Sequence, residues 1–403
     1  MADYIIIGAG IIGLTVALEI KRRFAKATVV VLEKEDEVGQ HASGRNSGVI
    51  HAGFYYSADS LKARFCRDGN QTMREYCRKR QVPMFMCGKL VVAQNAEELP
   101  GLDELFKRGV ANDVIVKMLS AADARRIEPR VLTHERALWS PTTASADPAK
   151  LINTLARDAR DAGIQIQTQT TYLAGQPGEV ITTNGRIEAR YVINCSGLYA
   201  DKIARNFGFC SRYTILPFKG IYRYSDEKPF SLRTHIYPVP NLKFPFLGVH
   251  YTVTVDGKSK IGPTAIPAFW REQYGLIENF SLTELVDIAV REASLMISAG
   301  FDFRGLARLE MKKFSSSFLV AEAARLITGV QHEDYTHWGR PGIRAQLLDL
   351  EKRTLVMDFV IEGDRSSLHV LNAVSPAWTC SMPFAKHVVD QVVRLRDGAS
   401  TTN

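Results

Sequence analysis

Three glycines near the amino terminus have the spacing of a phosphate-binding turn. They are Gly8, Gly10 and Gly13, in the hexapeptide GAGIIG, which also contains Ile12. The first would allow a tight turn, the second would let the backbone approach a pyrophosphate, and the third would let a helix pack closely on a strand. The N–H groups and positive dipole at the helix start favour a bound diphosphate. The spacing therefore indicates a dinucleotide site.

An acidic residue stands where such a turn needs an acceptor for the ribose. Glu33 lies 20 residues beyond Gly13, at the end of the next strand-like run. A carboxylate at this place accepts hydrogen bonds from ribose hydroxyls, and its charge repels a 2′-phosphate. We expect Glu33 and the neighbouring Lys34 to contact the nucleotide.

The segment after Glu33 distinguishes between dinucleotides. Residues 39–53 are rich in glycine and serine, whereas an NAD-specific domain usually continues there into another βα unit. Small residues with many backbone donors suit a loop that runs along a flavin diphosphate, so the segment favours FAD. The candidate FAD contacts in this loop are His41, Ala42, Ser43, Arg45, Asn46, Ser47 and Gly48.

The apolar pattern predicts the elements that would position these residues. Residues 3–7 and 28–32 are apolar runs typical of buried parallel strands, and a helical pattern between them extends to about Phe24. Together they predict one βαβ unit. A second helix is expected over residues 147–163, because an Asp-Pro pair opens it and a glycine ends it.

Further elements are predicted towards the carboxyl terminus. Residues 191–195 form another apolar strand, and residues 355–361 and 368–373 are also strand-like. An amphipathic helix is expected from about Pro383 to Arg396, packed on the nucleotide-binding domain.

The pattern as a whole predicts an α/β protein with two domains. One is a discontinuous Rossmann-type FAD-binding domain, similar to that of glutathione reductase, and an α+β substrate domain with a mixed or antiparallel sheet is inserted into it. We assign residues 1–81, 146–210 and 326–403 to the FAD-binding domain. Residues 82–145 and 211–325, the latter rich in Pro, Tyr and Phe, are assigned to the substrate domain.

Charge and cysteine content limit the class of protein. The net charge of +8 favours an anionic small-molecule substrate, while the short basic clusters, without interleaved aromatic residues, predict no nucleic-acid binding. None of the six cysteines forms a CxxC pair, so we expect reduced thiols and no metal site. We find no signal peptide and no apolar run of about 20 residues. A cytoplasmic protein is expected, with peripheral contact to the inner face of a membrane left open.

Several motifs resemble one family along nearly the whole chain. They are HAGFYY at 51–56, CGKL at 87–90, PFLGVHYT at 245–252, IGPTA at 261–265, GIRAQ at 342–346 and NAVSPA at 372–377. Taken together and in order, they resemble the L-2-hydroxyglutarate oxidase/dehydrogenase family. That family lies within the D-amino acid oxidase-like superfamily of FAD-dependent oxidoreductases.

The resemblance implies oxidation of a 2-hydroxy acid to the 2-oxo acid, with hydride transfer to flavin N5. It also implies roles for the residues. Arg344, in GIRAQ, would hold the α-carboxylate and take part in catalysis. The candidate bases are His51, after the glycine-serine loop, and His250, at the end of a strand. The candidates for lining the pocket or binding a distal carboxylate are Tyr56, Lys219 and Tyr237.

The resemblance also implies further cofactor contacts. One group follows the strand at 191–195, and the other lies in the carboxyl-terminal quarter. These residues are Ser196, Gly197, Leu198, Gly342, Arg344, Ser375, Pro376, Ala377, Trp378 and Thr379. The electron acceptor is expected to be O₂ or a quinone.

Some positions depart from the family pattern. Lys219 stands where the family usually has arginine, Trp378 replaces a small residue, and residues 144–147 read ASAD in place of a GIVD-like segment. Lysine lacks the bidentate fork that arginine offers to a carboxylate. An amino acid or amine oxidase and a biosynthetic tailoring oxidase therefore stay open as alternatives, as does a flavin-containing binding or redox-sensing module.

Overall fold

The computed structural model describes residues 1–240 and 247–398 and divides into two compact units. Unit 1 comprises Met1–Asn46, Pro148–Pro217 and the chain from Arg344 onward, and unit 2 comprises Ser47–Asp147 and Phe218–Ile343. The first two residues of the PFLGVHYT motif, Pro245 and Phe246, lie outside the described residues.

The described chain contains both α-helices and mostly short strands. The α-helices are α1 (Ile11–Arg23), α2 (Leu61–Arg80), α3 (Leu99–Ala111), α4 (Ala121–Ile127), α5 (Pro148–Asp161), α6 (Ala200–Asn206), α7 (Leu282–Ile297), α8 (Phe303–Lys312), α9 (Ser316–Ala324) and α10 (Ala377–Arg396). The strands are β1 (Ala2–Ile7), β2 (Val29–Leu32), β3 (Val49–Ile50), β4 (Met84–Phe85), β5 (Lys89–Val92), β6 (Lys117–Ser120), β7 (Arg136–Ser140), β8 (Ala144–Ala146), β9 (Gln165–Gln167), β10 (Tyr172–Gln176), β11 (Glu179–Thr182), β12 (Gly185–Asn194), β13 (Tyr213–Gly220), β14 (Arg223–Tyr224), β15 (His235–Pro238), β16 (His250–Val253), β17 (Ser259–Gly262), β18 (Ile266–Pro267), β19 (His337–Trp338), β20 (Gly342–Asp349), β21 (Thr354–Leu355), β22 (Ile361–Gly363) and β23 (Ser367–Val370).

A mainly parallel sheet forms the centre of unit 1. Strands β9, β2, β1, β12 and β23 lie side by side in that order and pair in parallel, and an antiparallel extension runs from β12 through β11 to β10. β1 and β2 are almost entirely buried. Helix α1 packs on both strands, and α5 and α10 pack on α1. The predicted βαβ unit and the Rossmann-type α/β architecture are therefore confirmed.

Two predicted elements of unit 1 are wrong in extent. The strand expected at 355–361 is split into β21 and β22, because the side chain of Asn372 binds the intervening backbone. Its Nδ2 donates to the carbonyl oxygens of Val356 at 3.1 Å and Asp358 at 2.6 Å. The last helix starts at Ala377, not near Pro383, and this proline lies inside the helix.

Unit 2 contains a mixed eight-stranded sheet in the order β19-β14-β17-β16-β15-β5-β7-β6. β15 and β5 pair in parallel, and the other neighbours are antiparallel. One face is apolar, with Leu90, Ile236 and Tyr251 packed in one cluster with Leu319 and Ala323 of α9. The mixed sheet predicted for the second domain is present.

The unit boundaries differ from the predicted domain boundaries at 81/82 and 325/326. Residues 47–81 and 326–343 belong to unit 2. One reason is Asn70 of α2, whose Nδ2 lies 3.1 Å from the carbonyl oxygen of His51 and 2.9 Å from that of Thr142. Such contacts between segments distant in sequence are invisible to composition and periodicity.

Two further sequence expectations concern cysteines and membranes. All six cysteines are free thiols, as predicted. Within residues 1–240 and 247–398, none of the helices combines the length and the apolar character needed to cross a bilayer.

Candidate active site and cofactor cradle

The glycine-rich turn brings three backbone segments into close contact. A Cβ atom on Gly13 would lie 1.9 Å from the carbonyl oxygen of Gly8, so α1 approaches β1 as closely as backbone allows. Gly8 has φ of +103°, and a Cβ there would lie 2.7 Å from the carbonyl oxygen of Cys195, just after β12. Gly10 is the N-cap of α1 and has no side chain of its own to cap the helix, and Ile12 is buried in the first turn. The glycines therefore open the helix start to a ligand.

Glu33 connects this turn to the end of β2. It is 7% exposed, and its Oε2 accepts a hydrogen bond from the Ala9 amide at 3.0 Å while Oε1 accepts one from the Glu35 amide at 3.1 Å. Each carboxylate oxygen has a second lone pair. Glu33 can therefore hold the turn and still accept hydrogen bonds from a ribose.

The glycine-serine loop also closes on the helix start. Ser43 Oγ accepts a hydrogen bond from the Ile11 amide at 2.9 Å. Asn46 Nδ2 donates to the carbonyl oxygens of Ala42 at 3.2 Å and Ser43 at 2.7 Å, and Arg45 Nε donates to that of Gln40 at 2.6 Å. These bonds give the loop a defined conformation beside the N-terminus of α1.

The remaining predicted FAD contacts of this segment lie in two places: His41 and Lys34 contact Glu35, and Ser47 and Gly48 lie in unit 2. His41 Nε2 lies 2.8 Å from Glu35 Oε1, and Lys34 forms an ion pair with the same carboxylate. These two contacts hold the pKa of Glu35 below its usual range, against the effect of its burial. Ser47 and Gly48 belong to unit 2, where the carbonyl oxygen of Gly48 accepts a hydrogen bond from Ala146 at 2.8 Å.

The third predicted cofactor segment follows β12. Ser196 Oγ donates to Asn194 Oδ1 at 2.6 Å, Gly197 has φ of +57°, and Leu198 is buried in a short 3₁₀ turn. The turn therefore leaves the sheet at the carboxyl end of β12, the edge at which β1 also ends, because the two strands are parallel.

The start of α10 contains a buried hydrogen-bond donor, Trp378, that has no partner in the described protein. Pro376 is the N-cap, Ala377 and Thr379 are buried, and Ser375 precedes the cap. The Nε1–H of Trp378 is buried and has no hydrogen-bond partner in the described protein. A buried donor without a partner is costly. Together with the glycine turn and the free lone pairs of Glu33, it fits a polar cofactor such as FAD.

One face of the sheet in unit 2 contains a group of buried polar side chains. Side chains alternate along a strand, and β5 and β15 are paired so that Lys89 is opposite His235 and Leu90 is opposite Ile236. Leu90 and Ile236 lie in the apolar cluster, so Lys89 and His235 face the other way. The same alternation places these polar residues on one face: Lys89, His235, Tyr237, His250, Thr252 and Lys260.

His250 has the geometry of a neutral base. It is the first residue of β16, not the last residue of a strand as predicted. Its Nδ1 lies 2.8 Å from the carbonyl oxygen of Gly248, which fixes the proton on Nδ1 and leaves the lone pair on Nε2. Its ring stacks on Tyr237 with 3.7 Å between centroids. Burial holds the pKa of His250 well below its usual range, and the charge of Lys89 acts in the same direction.

The other two histidines near this face differ in their contacts. His235 Nδ1 accepts a hydrogen bond from the Val253 amide at 3.1 Å, and its Nε2 lies 3.3 Å from Cys87 Sγ. Both ring nitrogens are therefore engaged within the fold. His51 is half-buried, and burial with the nearby charge of Lys89 lowers its pKa well below the usual range.

Lys89 was not among the predicted site residues. It is fully buried, and its Nζ lies 3.9 Å from the ring centroid of Tyr237 and 5.1 Å from that of Tyr55. Burial lowers the pKa of Lys89 to about 7. The sequence contained a signal, because Lys89 of the CGKL motif opens the otherwise apolar run 89–92.

The remaining predicted substrate contacts are dispersed. Lys219 is half-buried on β13, and burial lowers its pKa, whereas the carboxylate of Glu278 acts in the opposite direction. Tyr56 is half-buried, and its carbonyl oxygen accepts a hydrogen bond from Asn112 at 2.9 Å. Gly342 and Arg344 both lie on β20, Gly342 within unit 2 and Arg344 at the point where the chain re-enters unit 1.

Comparison with known proteins agrees with this cradle. A family model described as FAD dependent oxidoreductase matches residues 3–391. An L-2-hydroxyglutarate dehydrogenase of Nematostella vectensis is 37% identical over 96% of this chain and 90% of that protein. The human enzyme of the same name is 33% identical over 97% and 88%, and that of Indibacter alkaliphilus is 34% identical over 97% and 98%. The resemblance stated from the motifs is confirmed.

Solved structures share the fold. L-α-glycerophosphate oxidase from Mycoplasma pneumoniae, with FAD bound, matches with a TM-score of 0.78 at 22% identity, over 100% of this chain and 97% of that one. Glycine oxidase from Geobacillus kaustophilus matches with a TM-score of 0.73 at 18% identity, over 100% and 96%. The glycine turn, the acidic residue after β2 and the full-length family match agree, and the chain therefore belongs to the family of FAD-dependent oxidoreductases.

Proposed function

We propose that this enzyme oxidises a small 2-hydroxy acid, L-2-hydroxyglutarate or a close analogue, to the corresponding 2-oxo acid. The structural observation that carries the proposal is the neutral His250, whose Nε2 lone pair can accept the hydroxyl proton of an alcohol substrate. Relatives with the name L-2-hydroxyglutarate dehydrogenase, similar over nearly the whole chain, support the choice of substrate.

The cofactor and the substrate are assigned mainly to different units. We assign FAD to unit 1, through Gly8, Gly10, Glu33 and the loop around Ser43, and the substrate mainly to unit 2. FAD, when bound, supplies a two-electron acceptor for the hydride that leaves the substrate α-carbon. The protein must hold the substrate, align the reacting C–H bond and remove the hydroxyl proton.

Each of these tasks has a candidate residue. Arg344 would hold the α-carboxylate through two parallel hydrogen bonds. Nε2 of His250 would take the hydroxyl proton, with His51 as the second candidate base. Tyr56, Lys219 and Tyr237 would line the pocket, and Lys219, which has a single point charge, would attract a distal carboxylate.

The test is anaerobic reduction of the purified holoenzyme, followed by flavin absorbance. We expect L-2-hydroxyglutarate to bleach the flavin faster than the D-enantiomer, lactate or malate, and amino acids to leave it oxidised. Bleaching by amino or N-methyl amino acids alone would contradict the proposal and favour an amine oxidase. Bleaching only by larger hydroxy compounds would favour a tailoring oxidase.

We further propose a cytoplasmic enzyme that touches the inner face of a membrane and passes electrons to a quinone, with O₂ as the alternative acceptor. Support comes from α7 and α8 of unit 2. On α7, Leu282, Val286 and Val290 form an exposed apolar stripe, each at least 55% exposed. On α8, Arg304 and Arg308 are exposed one turn apart, and basic residues favour anionic headgroups.

A further inference from the structure

Lys89 is a buried amine without an ionic partner. Its side chain is 0% exposed, and its Nζ makes no hydrogen bond within the described protein. Three aromatic rings surround it, at centroid distances of 3.9 Å for Tyr237, 5.1 Å for Tyr55 and 5.9 Å for Phe54. Among the ion pairs of the described residues, none involves Lys89.

Among the described residues, no carboxylate is found to act on Lys89. The titratable groups that interact with it come from each neighbouring element: Cys66 on α2, Cys87 before β5, Tyr55 and His51 in the 51–56 segment, His235 and Tyr237 on β15, and His250 on β16. The histidines, Tyr55, Tyr237 and Cys87 are neutral near pH 7, because burial lowers the pKa values of the histidines and raises those of Tyr55, Tyr237 and Cys87.

Aromatic faces alone compensate a buried ammonium poorly. A cation–π contact recovers only a small part of the free energy that the removal of an ion from water costs, even after relaxation. A lysine in this setting is stable either as the neutral amine or with an anion beside it. The polar sheet face on which Lys89 lies, with His250 and Tyr237, is the same face on which we place the substrate.

We propose that Lys89 is an anion-binding residue of the active site, which binds a carboxylate of the substrate and takes up a proton as that anion binds. The proposal rests on the proposed function only for the identity of the substrate. It assigns Lys89, in addition to Arg344 and Lys219, to recognition of a dicarboxylate.

The sign of the pH dependence follows from this assignment. The free amine has a pKa of about 7, and a bound carboxylate raises it. The anion should therefore bind equally well at all pH values below about 7. Above that pH, the dissociation constant should rise by up to about tenfold per pH unit, until the pH reaches the pKa in the complex.

The experiment uses glutarate, a dicarboxylate that lacks the oxidisable hydroxyl, with the holoenzyme. Binding is followed through the flavin spectrum from pH 6 to 9, and proton uptake is measured at pH 8 by calorimetry in buffers with different ionisation enthalpies. The variants are Lys89→Met, which keeps the volume, and Lys89→Gln. Lys117→Met on β6 is the control, because it removes an exposed lysine from the same sheet. Bound flavin and circular dichroism report whether each variant folds.

For the wild type and Lys117→Met, we expect uptake approaching one proton at pH 8 and the pH dependence described above. For Lys89→Met and Lys89→Gln, we expect a dissociation constant about 10- to 100-fold higher at pH 6.5, little change with pH and no uptake. Folded variants that bind glutarate as the wild type does, or a wild type that does not bind glutarate, would overturn the proposal. Glutarate binding with proton uptake in an enzyme that no 2-hydroxy acid reduces would refute the proposed function and leave the role of Lys89 in place.

Discussion

At the scale of single residues, the proposed role of His250 as the base depends on its protonation state. Its Nδ1–H is bound to Gly248, and burial keeps the ring neutral at pH values where an ordinary histidine begins to protonate. A group with a lowered pKa loses its basic form only as the pH falls through that lowered value. The proposed base should therefore remain available below pH 6.5, whereas the weakening of anion binding above about pH 7 should follow the deprotonation of Lys89.

We expect kcat of the wild type to be nearly constant from pH 7.5 down to pH 6 and His250→Asn to lower kcat by about 10²- to 10⁴-fold. Asparagine can still donate to Gly248 but cannot accept the proton. Steady-state kinetics across pH measures both effects, and His337→Asn, at a 74% exposed position, is the matched control. Full activity of His250→Asn, with loss of activity in His51→Asn, would transfer the role of base to His51.

At the scale of elements, helix α8 is attached to the body of unit 2 through the buried carboxylate of Glu310, which also forms an ion pair with Lys313. Glu310 Oε1 accepts from Lys313 Nζ at 2.5 Å, and Glu310 Oε2 accepts from the Ala265 amide at 2.6 Å. Glu310 is 2% exposed and Lys313 3% exposed. The carboxylate thus satisfies a lysine of its own helix and a backbone donor just before β18.

Glu310→Gln should lower the free energy of unfolding by about 3–5 kcal/mol, because it leaves the Lys313 charge buried without a partner. Glu322→Gln is the matched control, since the Glu322–Arg325 pair of α9 is solvent-accessible and should contribute less than about 1 kcal/mol. Urea unfolding followed by circular dichroism compares the two variants. Equal midpoints would show that the pair in α8 does not anchor the helix.

At the scale of the whole molecule, the proposed membrane contact rests on the net charge of +8 and on the exposed surface of α7 and α8. Apolar area gives affinity for any bilayer, and basic residues add affinity for anionic lipid. Both contributions are needed if binding is to be peripheral and selective.

The holoenzyme should co-sediment with vesicles that contain phosphatidylglycerol more than with phosphatidylcholine alone, and high salt should weaken this binding. Leu282→Ser combined with Val290→Ser should abolish it, without effect on flavin content. Val110→Ser with Ile115→Ser is the control, because both positions are 59% exposed in another part of unit 2. Equal loss of binding in both double variants would contradict a specific surface.

The sequence predicted local features well and distant pairings poorly. The glycine turn, β1, α1 and β2 follow from patterns within about 30 residues, and the structure has them where expected. The division at 355–361 depends on Asn372, and the placement of 47–81 depends on the bond from Asn70 to Thr142, both through hydrogen bonds to remote backbone. Periodicity contains no record of such contacts.

The candidate site was predicted in the same uneven way. His51 and His250 were named from the motifs and Tyr237 as a pocket residue, and the structure places all three in unit 2 with Lys89. Lys89 itself was missed because its burial depends on the pairing of β5 with β15, and register between distant strands is not encoded locally.

The parallel pairing of β5 with β15 also affects how the protein folds during its synthesis. Cys87 and His235, in contact through Sγ and Nε2, are 148 residues apart in sequence. During translation, β5 therefore lacks its partner strand until β15 has left the ribosome, and the polar face cannot form earlier. Contacts of such long separation slow folding, and an unpaired apolar strand is prone to aggregate while it waits. We therefore expect this protein to mature slowly, because its polar sheet face is built from two distant parts of the chain.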